Sequence, residues 1–440
     1  MIRLHPIPHA DYVCPYCHLS LDVKDWYIPG MRNLSRSSCP RCRRDYFADL
    51  PVGHGLLHPV LLEVENGKIH DQYGADWFAK WLADSYAHRV HAPVPLQTEE
   101  FRPLRKPILL NCLDTLYGHC LLKLFNAQYY IDHRSDLDLI LLIPRNLRWL
   151  VPDAVAAIWT LDLPISRGTE WNDWVAREIK RRLEPFKECW LSIAVSHPHP
   201  KDFSIERFSR VKPFPVSEWG NRLERPLVTF IWREDRSWWD PKRDSTWQGL
   251  PRRVRRRLFA IPLSKIQVRD QKERVIALSE AMRKINPRVD FAVTGMGSPG
   301  GLPGWISDLR TAQPIEDTEK AWCERYAMSH VVVGVHGSNM LLPSAHGGAV
   351  LELVPSDRWS NLIQDILVIG DEVRSLLYRT RFLPLETPVG TVADVLASLL
   401  QYVPEAELSF SRPWTDHEAV GFEPWTIAKE RYRFLRKWQG

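Results

Sequence analysis

Two short cysteine repeats carry the most legible chemistry in the chain. Residues 14–17 read Cys-Pro-Tyr-Cys and residues 39–42 read Cys-Pro-Arg-Cys. A Cys-x-x-Cys turn presents two thiols on one side of a tight loop, and a pair of such turns can surround one ion with four sulfurs. Cys14, Cys17, Cys39 and Cys42 are therefore expected to hold Zn²⁺. Four protein ligands close the shell, which gives the metal a structural task and no site for an activated water. His18, after the first repeat, reads as a bystander. Arg41, Arg43 and Arg44 beside the second permit phosphate contacts, although a short basic cluster is more often a solvated face.

A second set of groups lies far downstream. An apolar stretch runs into His336-Gly337-Ser338-Asn339, and the next apolar stretch carries Glu352. Gly337 would let a ligand approach the backbone, and the amides after Ser338 would form an anion-binding helix start. His336 would reach a phosphate or a sugar hydroxyl, and Glu352 a ribose. The plain alternative is a strand–turn–helix connection with a capping serine. Arg233 and Arg236, at the end of another apolar run, offer two planar forks for a diphosphate, against the alternative of a surface ion pair with Glu234 or Asp235. Upstream, Asp114 and His119 stand on a strand-to-helix turn where either is a candidate to deprotonate a hydroxyl. Arg252–Arg257, with five arginines, would contact an acidic glycan, a lipid diphosphate at a membrane surface, or RNA. Trp238, Trp239 and Trp247 would stack on a sugar or pack in a core. The glycine-rich stretch 295–304 reads as a mobile loop over a cleft.

These groups need elements to position them. Residues 107–111 and 137–144 read as buried strands with a helix over 119–130 between them, followed by a helix at 171–183 and a strand at 190–195. Strand, helix and strand in that rhythm argue for a parallel α/β sheet. After an irregular proline-containing connector at 196–225 the rhythm resumes. Strands are expected at 227–232, 289–294, 330–335 and 350–354, and helices at 271–285, 316–328 and 338–345. Terminal helices follow at 392–402, capped by Thr391, and at 426–438. The expected organisation is α/β: a zinc-ribbon-like unit (1–50), a helical connector (51–105), two Rossmann-like domains (106–225 and 226–390) facing a cleft, and terminal helices (391–440). Ligands of such sheets sit beyond the carboxyl ends of the strands.

Composition narrows the classes. Of 440 residues, 45% are apolar and 25% charged, which excludes wholesale disorder. Lys+Arg number 58 and Asp+Glu 53, a formal charge of +5, too even for a dedicated nucleic-acid binder. No run approaches the roughly 18–20 apolar residues of a membrane span, and the first residues lack the apolar core of a secretory signal. The other cysteines, Cys112, Cys120, Cys189 and Cys323, are scattered rather than arranged as a disulfide framework. A cytoplasmic protein is expected, with peripheral contact to the inner membrane face through Arg252–Arg257.

The downstream stretches resemble glycosyltransferases of the GT-B type, and most closely glycosyltransferase family 61. The resemblance rests on Gly334-Val-His336-Gly337-Ser338-Asn339-Met340-Leu-Leu-Pro343 followed by Glu352-Leu-Val-Pro355. Phe230-Ile-Trp-Arg233-Glu-Asp-Arg236 approximates the family's upstream arginine pattern at shorter spacing, and Tyr117-Gly118-His119-Cys-Leu-Leu is similar to its Asn-Tyr-x-His-x-Leu-Leu turn. It covers roughly residues 106–390 and leaves the ribbon aside. It implies a nucleotide-sugar donor in the second domain, held by Arg233, Arg236, His336, Gly337, Ser338, Asn339 and Glu352. A glycan or lipid-linked acceptor would lie in the first, with Asp114 or His119 as the base of an inverting transfer and no catalytic metal. Lys123 departs from the family, standing where an acidic residue often follows the turn. Asp136-Leu-Asp138 has the spelling of a metal-binding Asp-x-Asp but precedes a buried strand. The readings from other classes are a non-catalytic zinc-ribbon protein that holds a nucleotide or glycan and, ranked last, a nucleic-acid binder.

Overall fold

Stretches such as Asp138–Pro144 (Asp-Leu-Ile-Leu-Leu-Ile-Pro) and Leu227–Trp232 show no polar alternation, the pattern of strands covered on both faces of a parallel sheet. The structure, a computed structural model, describes residues 1–5, 7–71, 76–239, 263–362, 364, 366–368 and 373–401. It is mixed α/β with two largely parallel sheets and one antiparallel sheet. The arginine run 252–257, Trp247 and the helix expected at 426–438 lie outside the described residues.

The first sheet has the spatial order Ile2–Arg3, Trp190–Leu191, Pro107–Asn111, Asp138–Pro144, Ala157–Leu161 and Leu96–Glu100. Its four inner strands are parallel and both edges antiparallel. The chain moves outward from Pro107–Asn111 and then returns to Trp190–Leu191 on the other side. The strand order therefore reverses beside Asn111 and Leu191. The second sheet is parallel throughout: Ile306–Thr311, Asp290–Met296, Leu227–Trp232, Val331–Val335, Ala349–Val354 and Thr380–Pro384. In chain order this is 3-2-1-4-5-6, the doubly wound arrangement, with its reversal between Leu227–Trp232 and Val331–Val335. The third sheet is an antiparallel meander of Asp22–Tyr27, Leu34–Ser38, Asp45–Asp49, Val60–Glu63 and Ile69–Asp71.

Several expectations change. The ribbon meander does not stop near residue 50, because Val60–Glu63 and Ile69–Asp71 complete its sheet. The supposed helical connector 51–105 therefore holds one helix, Asp76–Ala87, and three strands, the last being the edge strand Leu96–Glu100 of the first parallel sheet. Ala157–Leu161, Ile306–Thr311 and Thr380–Pro384 are strands that sequence reading passed over. The expected helix 119–130 breaks at Asn126 into Tyr117–Phe125 and Ala127–His133. There the Asn126 amide donates to Leu122 O, Lys123 O and Val195 O and so ties the helix to the end of the neighbouring strand. Residues 295–304 are pinned as well: Asp308 accepts from Gly300 N–H (2.7 Å), and Arg310 donates to Gly300 O (2.8 Å). Pro388, and not Thr391, stands at the N-cap of Val389–Leu399.

Several of the described tryptophans are packing material. Trp26, Trp159, Trp171, Trp219, Trp232 and Trp238 are fully buried, and Trp238 Nε1 donates to Leu385 O, so it is no sugar platform. One core joins the meander to the first sheet and continues into Trp322, Cys323, Tyr326, Leu341 and Leu342 beneath the second. A second core lies under helices Leu263–Ile285 and Val389–Leu399. The seam is tightest at Gly118, where a Cβ would stand 2.6 Å from Ser338 Cβ and 3.1 Å from Leu341 Cδ1. Gly118→Ala is expected to lower stability by about 1–3 kcal/mol, since the seam must part or strain. Gly390→Ala, in open space within a helix, should instead stabilise by roughly 0.5–1 kcal/mol. Denaturant unfolding of both variants checks the pair.

Candidate active site and metal centre

The two cysteine knuckles fold alike. His18 N–H donates to Cys14 O (2.9 Å) and Cys14 N–H to Leu19 O (2.8 Å); Arg43 N–H donates to Cys39 O (2.9 Å) and Cys39 N–H to Arg44 O (2.9 Å). His18 and Arg43, one after each repeat, share a left-handed φ of 58° and 57°. This geometry brings all four Sγ atoms within 4.8 Å of one another. Burial pushes the Cys14 thiol up, but hydrogen bonds from Tyr46 and from the backbone at Tyr16 and Cys17 outweigh it and bring the group down to about 6. A thiolate is what a metal requires, so four cysteines and their spacing fit a tetrahedral ion. Arg44 is no phosphate contact: it pairs with the fully buried Glu63 and lies over the Tyr16 ring, 4.4 Å from its centroid.

The carboxyl ends of the two parallel sheets open onto one cleft of about 1240 Å³. Arg145, Asn146 and Thr160 line it from the first sheet, and Arg233, Gly295 and Ser338 from the second. At the reversal of the second sheet, Arg233 NH1 donates to Asn339 Oδ1 (2.7 Å) and Arg236 NH1 to His336 O (2.9 Å). Gly337 lies between them with φ +148°, and a Cβ there would stand 2.8 Å from Arg233 NH1 and 2.7 Å from Arg236 NH1. Two guanidinium groups thus converge on bare backbone. Arg233 also forms the ion pair with Asp235 that the sequence offered as the alternative, and this contact holds the Asp235 carboxyl below its usual range.

Other expectations at this strand end need correction. His336 and Glu352 are not at the surface: both are buried, and the His336 ring meets Glu352 across adjacent strands, Nδ1 to Oε2 at 2.5 Å. Glu352 therefore orients His336 and does not reach toward a ribose. The turn after Gly337 is a three-residue 3₁₀ segment, Ser338–Met340, followed by the six-residue helix Leu341–His346. So short a helix supplies little dipole, and any anion there depends on the arginines.

Asp114 and His119, expected to face the cleft as alternative bases, instead meet each other outside its lining. Asp114 is enclosed, with Lys123 Nζ 2.7 Å from Oδ2, Thr115 N–H 2.8 Å from Oδ1 and His119 Nδ1 3.2 Å from Oδ1. Burial alone would raise its carboxyl; the Lys123 ammonium and His119 outweigh that and hold it well below the ordinary carboxylate range. Lys123, the departure from the family pattern, is thus the partner of Asp114. Enclosed and ion-paired with Lys123, the Asp114 carboxylate is not placed to meet a substrate hydroxyl in this cleft. His54, which sequence reading missed, joins them, its Nε2 3.2 Å from His119 Nδ1.

Within the cleft lies Glu319, a carboxylate that sequence reading also missed. It sits on Glu316–Met328 and accepts a hydrogen bond from Trp149 Nε1 of the opposite wall. Burial pushes its carboxyl up to about 7, with Trp149 pulling back weakly. The buried Tyr117 hydroxyl, also lining the cleft, has no hydrogen-bond partner. Nothing in the local sequence marks Glu319, because its burial comes from a residue far upstream. Comparison of the chain with protein-family models and with curated proteins found no match. Among the described residues, no helix is long and apolar enough to cross a membrane.

Removing the ion from the cysteine cluster, by chelator or by Cys39→Ser, should unravel the knuckles first, read as lost protection of residues 12–49 in hydrogen exchange. Glu319 gives a pH signature. The unfolded chain releases this proton near 4.5 and the folded chain near 7, so stability falls as pH rises through that window and stays lower above it. Glu319→Gln should remove up to about 3 kcal/mol of that fall, measured as the difference in unfolding free energy between pH 5 and pH 8.

Proposed function

We propose that this chain is a glycosyltransferase that moves a sugar from a nucleotide diphosphate donor to a hydroxyl of a glycan or lipid-linked acceptor, with inversion. The observation that carries the reading is the convergence of Arg233 and Arg236 on Gly337, at the strand-order reversal of a doubly wound sheet, facing a cleft whose other wall is a second parallel sheet. Two parallel sheets bordering one cleft are compatible with a GT-B arrangement and, with the family 61 resemblance of residues 334–343, support a donor on the second sheet.

In this reading the acceptor oxygen attacks the anomeric carbon as the bond to the diphosphate oxygen breaks. The leaving group carries away negative charge, which Arg233, Arg236 and the amides of Ser338 and Asn339 neutralise. The acceptor proton passes to Glu319, whose carboxyl is poised near neutral pH by burial. Trp149 holds one carboxylate oxygen and leaves the other for the acceptor. The ion of the cysteine cluster is Zn²⁺ in this proposal, structural and remote from transfer. Membrane contact through residues 252–257 belongs to the same proposal.

A panel of UDP-, GDP- and CMP-sugars tested by thermal shift identifies the donor. Arg233→Ala should abolish the shift. Glu319→Gln should keep the shift and lose about 10²–10⁴-fold in turnover. Donor stabilisation in the unaltered chain with no transfer or hydrolysis would leave the non-catalytic binding reading, which the burial of His336 and Glu352 favours.

A further inference from the structure

The cluster of His54, Asp114 and His119 is not used by the proposed transfer, although three separate elements converge to build it. His54 arrives on the 3₁₀ turn Gly53–Leu56 from the meander. Asp114 follows the strand Pro107–Asn111, and His119 lies in the first turn of Tyr117–Phe125. The three meet where the strand order of the first sheet reverses. His54 and Asp114 are buried, while 19% of the His119 side chain remains exposed.

Hydrogen bonds alone do not close this triangle. His54 Nε2 stands 3.2 Å from His119 Nδ1, His119 Nδ1 stands 3.2 Å from Asp114 Oδ1, and His54 Nε2 stands 3.6 Å from Asp114 Oδ2. If the proton on His119 Nδ1 goes to Asp114, it is not directed at His54. The remaining edge to Oδ2 is then too long for a hydrogen bond. If His54 donates to His119 instead, the His119 contact with the carboxylate joins two lone pairs. A cation at the centre satisfies all three edges at once.

We propose that His54, Asp114 and His119 form a second metal site, for a divalent first-row transition cation such as Zn²⁺ or Co²⁺. Metal–ligand bonds of about 2.0–2.1 Å place neighbouring donors about 3.3 Å apart; the His54–His119 and His119–Asp114 Oδ1 edges are 3.2 Å, and the His54 edge runs to the other oxygen, Oδ2, at 3.6 Å, so Asp114 would ligate through both carboxylate oxygens. Two imidazoles and a carboxylate are a donor set for such ions, with positions left open. His54 binds through Nε2 with its proton on Nδ1, and His119 binds through Nδ1 with its proton on Nε2, so no net proton leaves. The carboxylate has its outer support already: Thr115 N–H on Oδ1 and Lys123 Nζ on Oδ2, the latter also donating to Leu113 O at 2.9 Å. The His197 ring lies nearby, its centroid 5.9 Å from that of His119, and offers a fourth ligand beside water. Because Lys123 already neutralises Asp114, this site holds its ion more weakly than the four-thiolate cluster and loses it first to a chelator.

The inference is independent of glycosyl transfer, and its test reads metal, not activity. Zn²⁺ is titrated into the chelator-treated full chain and counted by elemental analysis after desalting. Two equivalents are expected in the unaltered chain and one in His54→Gln and in His119→Gln. Co²⁺-loaded samples of both variants should keep the intense thiolate-to-cobalt absorption of the cysteine cluster, which shows that the meander remains folded. A single equivalent in the unaltered chain, or two in both variants, overturns the proposal. Should the variants fail to fold, zinc-edge X-ray absorption of the unaltered chain decides. A nitrogen or oxygen shell at about 2.0 Å beside sulfur at about 2.3 Å supports the site, and a sulfur-only shell overturns it.

Discussion

Gly118 and Ser338 touch where any larger residue at 118 would not fit, and that contact sets the relation between the two parallel sheets. It lets the helix Tyr117–Phe125 of the first sheet rest on the turn that follows Val331–Val335 of the second. Apolar packing continues on both sides of it, through Leu341 and Leu342 beneath one sheet and Leu121 and Leu122 beneath the other. A polar tie reinforces the same seam: Ser209 Oγ lies 2.8 Å from His346 Nε2.

The seam also divides the chemistry. Tyr117 lines the interdomain cleft with Glu319, Arg233 and Ser338, whereas His119 joins His54 and Asp114 outside that lining. Two residues on one helical turn thus serve two different sites, since side chains two apart on a helix point in different directions. The cleft lining mixes Arg145, Arg148 and Arg233 with Glu99, Glu234, Asp235 and Glu319. In the histidine cluster Lys123 stands against Asp114.

What could be read from the sequence follows from how local each signal is. The cysteine knuckles were legible because four residues within each turn fix both the thiols and the left-handed residue behind them. The buried strands Asp138–Pro144 and Leu227–Trp232 were legible because apolar runs require a covered sheet. Leu96–Glu100 was not, since its text (Leu-Gln-Thr-Glu-Glu) reads as exposed loop and becomes a strand only by pairing with Ala157–Leu161. His336 and Glu352 were found as a pair but given the wrong task, because the sequence cannot say which of two faces a residue at a strand end takes. Glu319 and His54 were missed for one reason: each acquires its character from partners distant in the chain.

The meander is therefore more than an appendage carrying a metal. Asn111, at the end of the central strand of the first sheet, donates to Gly30 O (2.9 Å) and Asn33 Oδ1 (3.0 Å) of the meander. Gly53 N–H donates to Ile193 O, and with φ +57° Gly53 passes over Lys123, leaving space that a Cβ would narrow to 3.3 Å. These contacts deliver His54 to Asp114 and cover Lys123, the ammonium that holds the Asp114 carboxylate ionised against its burial. The Arg32–Asp49 pair, enclosed in the same sheet, leaves little freedom for that turn to move. The four clustered cysteines and the Gly53–Leu56 turn thus belong to one meander, and that turn is what brings His54 to Asp114 and His119.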